Sequence, residues 1–378
     1  MANGISLYKD TIETLRRNKE KRLSGDIIAI PWNLPRLSKV LPGIEPEKMV
    51  LVSSGPKAGK TQITNFLYVF QPIDYLFEHR DSNLDIKIFY FSLEISREAF
   101  MRQAISYRLF SKYKITISQQ KLLSSFNNYI LDDKVEALIE AERPWFEFLE
   151  SKIDVQDGLR KPTVIYKYME SWLNDNGIWT YKNLTFEGKE HTVRDKYYPN
   201  NPNLIVIGLV DHISLLNAEA GLDQRQTIGR FSSEYCLKLR DKYKCLMVIV
   251  QQQALASEQQ QFTSSGKSIL EKLKPSPDGL ANNKEVSRDV NLMIGLFNPA
   301  KFGFNTYKSS GTCAGYDLDR LRDNHRELII LLNRDGISNA SIDLYFNGAS
   351  AFFSELPKPE DMCELDYIEV EKARGTII

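Results

Sequence analysis

Short apolar runs and stretches of helical apolar spacing take turns along this chain. Runs bounded by turn residues predict strands at 49–53, 86–92, 204–210, 246–251, 292–297 and 328–333. Between them, apolar positions at helical spacing predict helices at 62–70, 97–109, 134–149, 163–176 and 227–242. Alternation of this kind implies an α/β fold, a mostly parallel sheet with helices on its faces. Two further strands, 342–346 and 351–354, flank Asn347-Gly348-Ala349-Ser350 and predict a C-terminal β-hairpin. Two regions break the rhythm. Residues 178–203, rich in Trp, Tyr, Thr, Asn and Pro, predict an inserted hairpin on the rim. Residues 256–283, rich in Gln, Ser, Lys, Pro and Gly, predict a long loop, and loops of that length are usually functional or disordered. At the start, residues 5–22 form a charged, amphipathic segment, either a solvated helix end or an arm that docks on a neighbouring copy. Pro31, Pro35 and Pro42 make 31–43 an irregular lead-in.

The strand–helix junction at 54–61 carries the strongest chemical signal. Ser54-Gly55-Pro56-Lys57-Ala58-Gly59-Lys60-Thr61 fits a P-loop, set between an apolar strand and a helix that opens with Gln62. In that setting the backbone N–H groups wrap nucleotide phosphates, aided by the positive end of the helix. Lys60 would reach the β- and γ-phosphates of ATP, and the Thr61 hydroxyl would ligate Mg²⁺. One departure is visible: Ser54 opens the pattern, and the glycine is displaced to Gly55.

Three more strands end in polar groups, where ligands sit in parallel sheets. The run 204–210 ends in Asp211, a candidate for holding Mg²⁺ or, alternatively, a turn cap. The run 86–92 leads to Glu94, either the general base for water or an acid favouring the next helix dipole. The run 246–250 ends in Gln251-Gln252-Gln253, one of which would hydrogen-bond the γ-phosphate. The strand 328–332 leads to Asn333-Arg334-Asp335-Gly336, and Arg334 is placed either to act on a nucleotide held by an adjacent subunit or to pair with Asp335.

Composition narrows the setting. The 378 residues are 42% hydrophobic and 26% charged, ordinary for a globular protein. Formal net charge is zero, so no global field draws the chain onto nucleic acid or membrane. Local positive charge around a ring would still suffice for a strand. The four cysteines contain no C-x-x-C pair and the four histidines no metal spacing. A reducing, cytoplasmic setting fits, with no signal core and no membrane-spanning stretch.

Several of these motifs, in order, resemble those of DnaB-type replicative helicases. They are Phe91-Ser92-Leu93-Glu94-Ile95-Ser96, Asp211-His212-Ile213-Ser214-Leu215-Leu216, Asn333-Arg334-Asp335-Gly336 and Leu344-Tyr345-Phe346-Asn347-Gly348. Asp-His-Ile-Ser is similar to the phage primase-helicase branch, which would place the protein in a bacterial host cytoplasm. The resemblance covers about residues 28–356. It implies a RecA-like ATPase core over 44–356, a hexameric ring on single-stranded DNA, and a primase or helicase loader as a further partner. Residues 1–43 would be an arm or linker and 357–378 a tail, leaving no room for the family's N-terminal primase-binding domain. Site roles would fall on Lys60 and Thr61, on Glu94 as base, on Asp211 for Mg²⁺, on Gln252 as sensor and on Arg334 as a finger in trans. The DNA-facing loop would span 253–288, with Asn282, Asn283, Lys284 and Arg288 as contacts. Two departures stand out: Leu332 replaces the basic residue before the finger, and 279–284 lacks the family's arginine and glycine. Two other readings compete, a RecA-like recombinase or ATP-dependent switch that does not unwind, and a phage structural component or degenerate helicase. The intact Lys60, Thr61, Glu94, Asp211 and Arg334 argue against degeneration.

Overall fold

Thirteen strands occur among the described residues, which in this computed structural model are 7–186, 189–254, 259, 270–311 and 313–375. They are β1 (Met49–Ser54), β2 (Asp85–Ser92), β3 (Ile153–Gln156), β4 (Gly177–Phe186), β5 (Lys189–Pro199), β6 (Leu204–Asp211), β7 (Leu246–Gln252), β8 (Leu292–Phe297), β9 (Thr306–Tyr307), β10 (Tyr316–Asp317), β11 (His325–Asn333), β12 (Ser341–Asn347) and β13 (Phe352–Glu355). Nine of them form one sheet in the order β13-β12-β11-β8-β1-β7-β6-β2-β3. From β8 through β3 neighbouring strands pair in parallel; β11, β12 and β13 add an antiparallel edge. The strands are near-continuous apolar runs because both faces are covered. Val50 and Val52 join one core with Phe66, Phe70 and Trp145, while Met49 and Leu51 join a second with Met169, Phe231 and Met247.

Parallel register determines what meets at the carboxyl edge. Ser54 pairs with Gln252 and with Leu296, and Ser92 pairs with Asp211. The ends of β1, β2, β6 and β7 therefore lie along one rim. The helix leaving β1 runs from Lys60 through a π-type turn at Phe66–Phe70 to Glu78. Ile63 through Ile73 are all buried, as a helix enclosed on every side requires.

The structure departs from the sequence reading in several places. The single helix at 134–149 is two, Asp133–Ala141 and Arg143–Lys152, because Pro144 belongs in a first helical turn. The strand expected at 328 starts at His325, so charged residues enter it. The proline-rich lead-in is no loose linker: Trp32, Leu34, Leu37 and Leu41 are buried in the first core, and Ile30 bridges to Ile44. The segment expected as a tail contains the helix Glu364–Gly375, held by Arg320 to Glu364 and Glu371. The inserted hairpin is present as β4–β5, anchored by Trp179 and Tyr197 against Tyr243. Of the long loop, 255–258 and 260–269 lie outside the described residues. The arm helix Leu7–Leu23 leaves Leu7, Leu15 and Leu23 exposed.

If the lead-in is core, Leu37→Ala should lower unfolding stability by about 2–5 kcal/mol, as for other buried leucines. Leu15→Ala should change it by less than about 0.5 kcal/mol. Urea titration followed by circular dichroism measures both, and equal effects would contradict the placement.

Candidate nucleotide site

β1 is buried along its whole length and delivers the chain into the turn at Gly55. The turn is tight: Ala58 N–H donates to the Gly55 carbonyl at 3.4 Å, and Lys57 has a φ of +61°. Gly59, at the helix N-cap, has a φ of +102°, a conformation open to glycine. A side chain there would also stand 3.3 Å from the Phe346 ring. The N–H groups of the following first turn have no intrahelical acceptor and make an anion-binding end. Around this turn, Ser54 donates to the Gly55 carbonyl, Lys301 to the Pro56 carbonyl and Gln62 to the Gly348 carbonyl, while Lys57 points to solvent.

Across the rim, the Thr61 hydroxyl hydrogen-bonds the Asp211 carboxylate. Asp211 is 1% exposed, its Oδ1 has no hydrogen-bond partner among the described residues, and burial pushes its pKa up to about 6. An orphaned buried carboxylate oxygen beside a hydroxyl is a hard-oxygen donor pair, the chemistry that suits Mg²⁺. Among the described residues no cluster of three His, Cys, Asp or Glu side chains could hold a metal by itself. The remaining ligands would therefore be water and phosphate, as Mg²⁺ in nucleotide sites prefers.

Glu94 lies two residues beyond β2. Its Oε2 is 3.9 Å from Lys60 Nζ and 3.9 Å from His212 Nε2. It does not serve the next helix: Ser96 is that N-cap and Glu98 the acid of its first turn. Half exposed, Glu94 can reach a water in front of a bound phosphate. His212, which the sequence reading quoted but gave no role, is largely buried, and that burial lowers its pKa. Its signal was adjacency to a strand-end acid.

The three glutamines separate cleanly. Gln251 donates to the Asn283 carbonyl at 2.9 Å, and Gln253 to Ser53 Oγ at 2.9 Å and the Ser276 carbonyl at 3.1 Å. Gln252, opposite Ser54, keeps its side-chain amide free of protein partners among the described residues. The loop returns to this edge through Ala281 N–H to the Gln252 carbonyl. In that loop Asn282, Lys284 and Arg288 are exposed. Asn283 is not: it is buried, donating to the Arg225 carbonyl and accepting from Glu285 N–H, so it shapes the loop and is turned away from any strand.

Arg334 is not brought to this rim. Asn333 pairs with Leu292, as does Val50 at the start of β1, whereas Ser54 pairs with Leu296. At about 3.3 Å per residue, roughly 13 Å of strand separates Arg334 from the P-loop. Its guanidinium donates to the Val290 carbonyl at 2.8 Å and to the Arg288 carbonyl. Asp335 pairs with Lys48 instead. One arginine that the sequence reading overlooked does reach the P-loop: Arg326, fully buried on β11, donates to the Ala58 carbonyl. A charged residue just before an apolar run was its only sequence signal.

No family model matches the sequence, and no curated protein matches it. Solved structures do. A helicase ATPase domain aligns with a TM-score of 0.62 at 16% identity, over 93% of this chain and 99% of that one. A DnaB-like replicative helicase, in a structure concerned with its interactions with primase, aligns with a TM-score of 0.61 at 16% identity, over 92% of this chain and 66% of that one. The fold is thus that of RecA-like helicase ATPase domains. No helix among the described residues is long and apolar enough to cross a membrane.

Asp211 gives this site a measurable stability cost. Its pKa is near 6 in the fold against 3.8 for the free side chain, so the fold binds the proton more tightly than the unfolded chain. Stability therefore falls as pH rises from about 4 through 6, and the penalty is fully present above that. With metal chelated, Asp211→Asn should raise stability at pH 7.5 by on the order of 2 kcal/mol, a gain that shrinks towards pH 4. Urea unfolding at both pH values checks this; a variant destabilised at pH 7.5 would contradict it.

Proposed function

We propose that this chain is the ATPase core of a DNA helicase, working as a hexameric ring that translocates on single-stranded DNA. One observation carries the reading: Lys60, Thr61, Glu94, Asp211 and Gln252 converge on one rim of the sheet, while Arg334 lies at the opposite rim. A site so divided is completed by a second copy whose Arg334 rim faces the first copy's P-loop. Head-to-tail contacts of this kind close into a ring when the repeated rotation fits.

In this reading the P-loop amides and Lys60 bind the β- and γ-phosphates of ATP. Thr61 and Asp211 would hold Mg²⁺, which when bound neutralises charge between those phosphates. Glu94 orients a water and accepts its proton. Gln252 offers its amide to the γ-phosphate, and the loop it joins by backbone hydrogen bonding passes the signal towards DNA. Arg334 of the neighbouring copy meets the charge that develops on transfer, a role worth about 10³–10⁵-fold in rate where it occurs. Asn282, Lys284 and Arg288 are the DNA contacts, chiefly through phosphate. By analogy with the DnaB-like neighbour, a primase or loader is a further partner, and the arm helix Leu7–Leu23 is a docking element towards the adjacent copy.

Lys60→Ala should abolish turnover. Glu94→Gln should retain ATP binding and ring assembly but stop hydrolysis and the opening of a forked duplex. Negative-stain images with an ATP analogue and single-stranded DNA should show rings. Filaments together with no duplex opening would favour a recombinase or a nucleotide-controlled switch.

DNA binding should weaken with salt although the chain is neutral overall, with log affinity falling by roughly 0.7 per log salt for each phosphate neutralised. Changing Lys284 and Arg288 together to alanine should flatten that slope with nucleotide affinity intact. A slope unaffected by both changes would place the DNA path elsewhere.

A further inference from the structure

We infer that Arg326 is a positioning residue for nucleotide binding, aiming the Gly59 N–H into the phosphate cradle by holding the other end of the same peptide. The inference rests on reading the 54–61 turn as a nucleotide site.

Arg326 reaches the turn from β11, which is separated from β1 by β8. Its Nε donates to the Ala58 carbonyl at 2.7 Å. A trans peptide is planar, so the Ala58 C=O and the Gly59 N–H point in opposite directions. Fixing the carbonyl towards β11 fixes the N–H away from it, on the side where a phosphate would lie. Among the described residues that N–H has no protein acceptor.

The arginine is itself immobilised. Nη1 donates to the Asp323 carbonyl at 2.9 Å and the His325 carbonyl at 2.7 Å, and Nη2 to Asp323 Oδ1 at 3.0 Å. Its guanidinium lies 4.5 Å from the centre of the Phe346 ring, whose edge packs against Gly59. The same ring thus supports both the arginine and the residue whose peptide it holds. With no exposed surface, Arg326 is not placed to touch a phosphate and acts through the loop. A planar, multi-donor cation suits this task better than a single point charge.

The test is ADP binding to the full chain with Mg²⁺, measured by isothermal titration alongside melting without nucleotide. Arg326→Met should weaken ADP binding by about tenfold or more, the scale of a lost charged hydrogen bond. Arg326→Lys, which can still donate to the Ala58 carbonyl, should recover binding to within about threefold of native even where its melting temperature stays low. Asp323 is mostly exposed, so Asp323→Ala leaves the core intact; it should weaken ADP by about two- to fivefold by loosening the guanidinium. An arginine serving only to stabilise the fold would lower melting temperatures and leave ADP affinity alone. That pattern, or native affinity in folded Arg326→Met and Asp323→Ala, overturns the inference. Should Arg326→Met fail to fold, Asp323→Ala decides the matter by itself. If the native chain binds no ADP, the nucleotide-site reading fails and this inference with it; native binding unmoved by the variants rejects the inference alone.

Discussion

A carboxylate with almost no water around it closes this site. Asp211 ends β6, and its hydrogen bond to Thr61 joins that strand to the helix leaving β1, across the end of β7. Parallel register makes the contact possible by levelling the strand ends, and burial makes it demanding, since an ionised group there is stabilised only by what is brought to it. Lys60, Glu94 and His212 are arranged around the same point. The nucleotide-free fold thus carries an electrostatic cost that a bound cation would relieve. Sites tuned for function commonly sacrifice stability in this way.

Much of this was legible in the sequence because it rests on local pattern. β1 and the P-loop, the strand ends at Asp211 and near Glu94, and the hairpin after Phe346 each follow from an apolar run meeting a turn. What escaped was set by long-range packing. Arg326 and Ala58 are 268 residues apart, and nothing in a linear pattern joins them. The lead-in around Leu37 reads as irregular because its prolines preclude regular elements, yet irregular backbone can still bury apolar side chains. Asn283 looks like a loop contact by composition; only the fold shows it turned inward onto the Arg225 carbonyl. Among Gln251, Gln252 and Gln253 the choice depended on which partners the returning loop supplies.

The sheet also separates tasks. One rim gathers groups that bind phosphate and activate water, and the other bears Arg334, whose guanidinium rests on the Arg288 and Val290 carbonyls at the end of the loop proposed to face DNA. Gln251 and Gln253 hold the same loop nearer β7. One segment is therefore tied at one end to the rim that would sense the chain's own nucleotide and at the other to the residue proposed to reach the neighbour's. That arrangement gives a physical route for linking hydrolysis at successive interfaces to movement along a strand.

The central claim is that a working site is shared between copies. Mixing Arg334→Ala protein with Lys60→Ala protein, with exchange between rings verified, and measuring DNA-stimulated ATP hydrolysis tests it directly. In mixed rings some interfaces carry both defects and others neither, so activity should rise above that of either variant alone and peak at intermediate ratios. Mixtures that remain inactive at every ratio would contradict a site completed in trans.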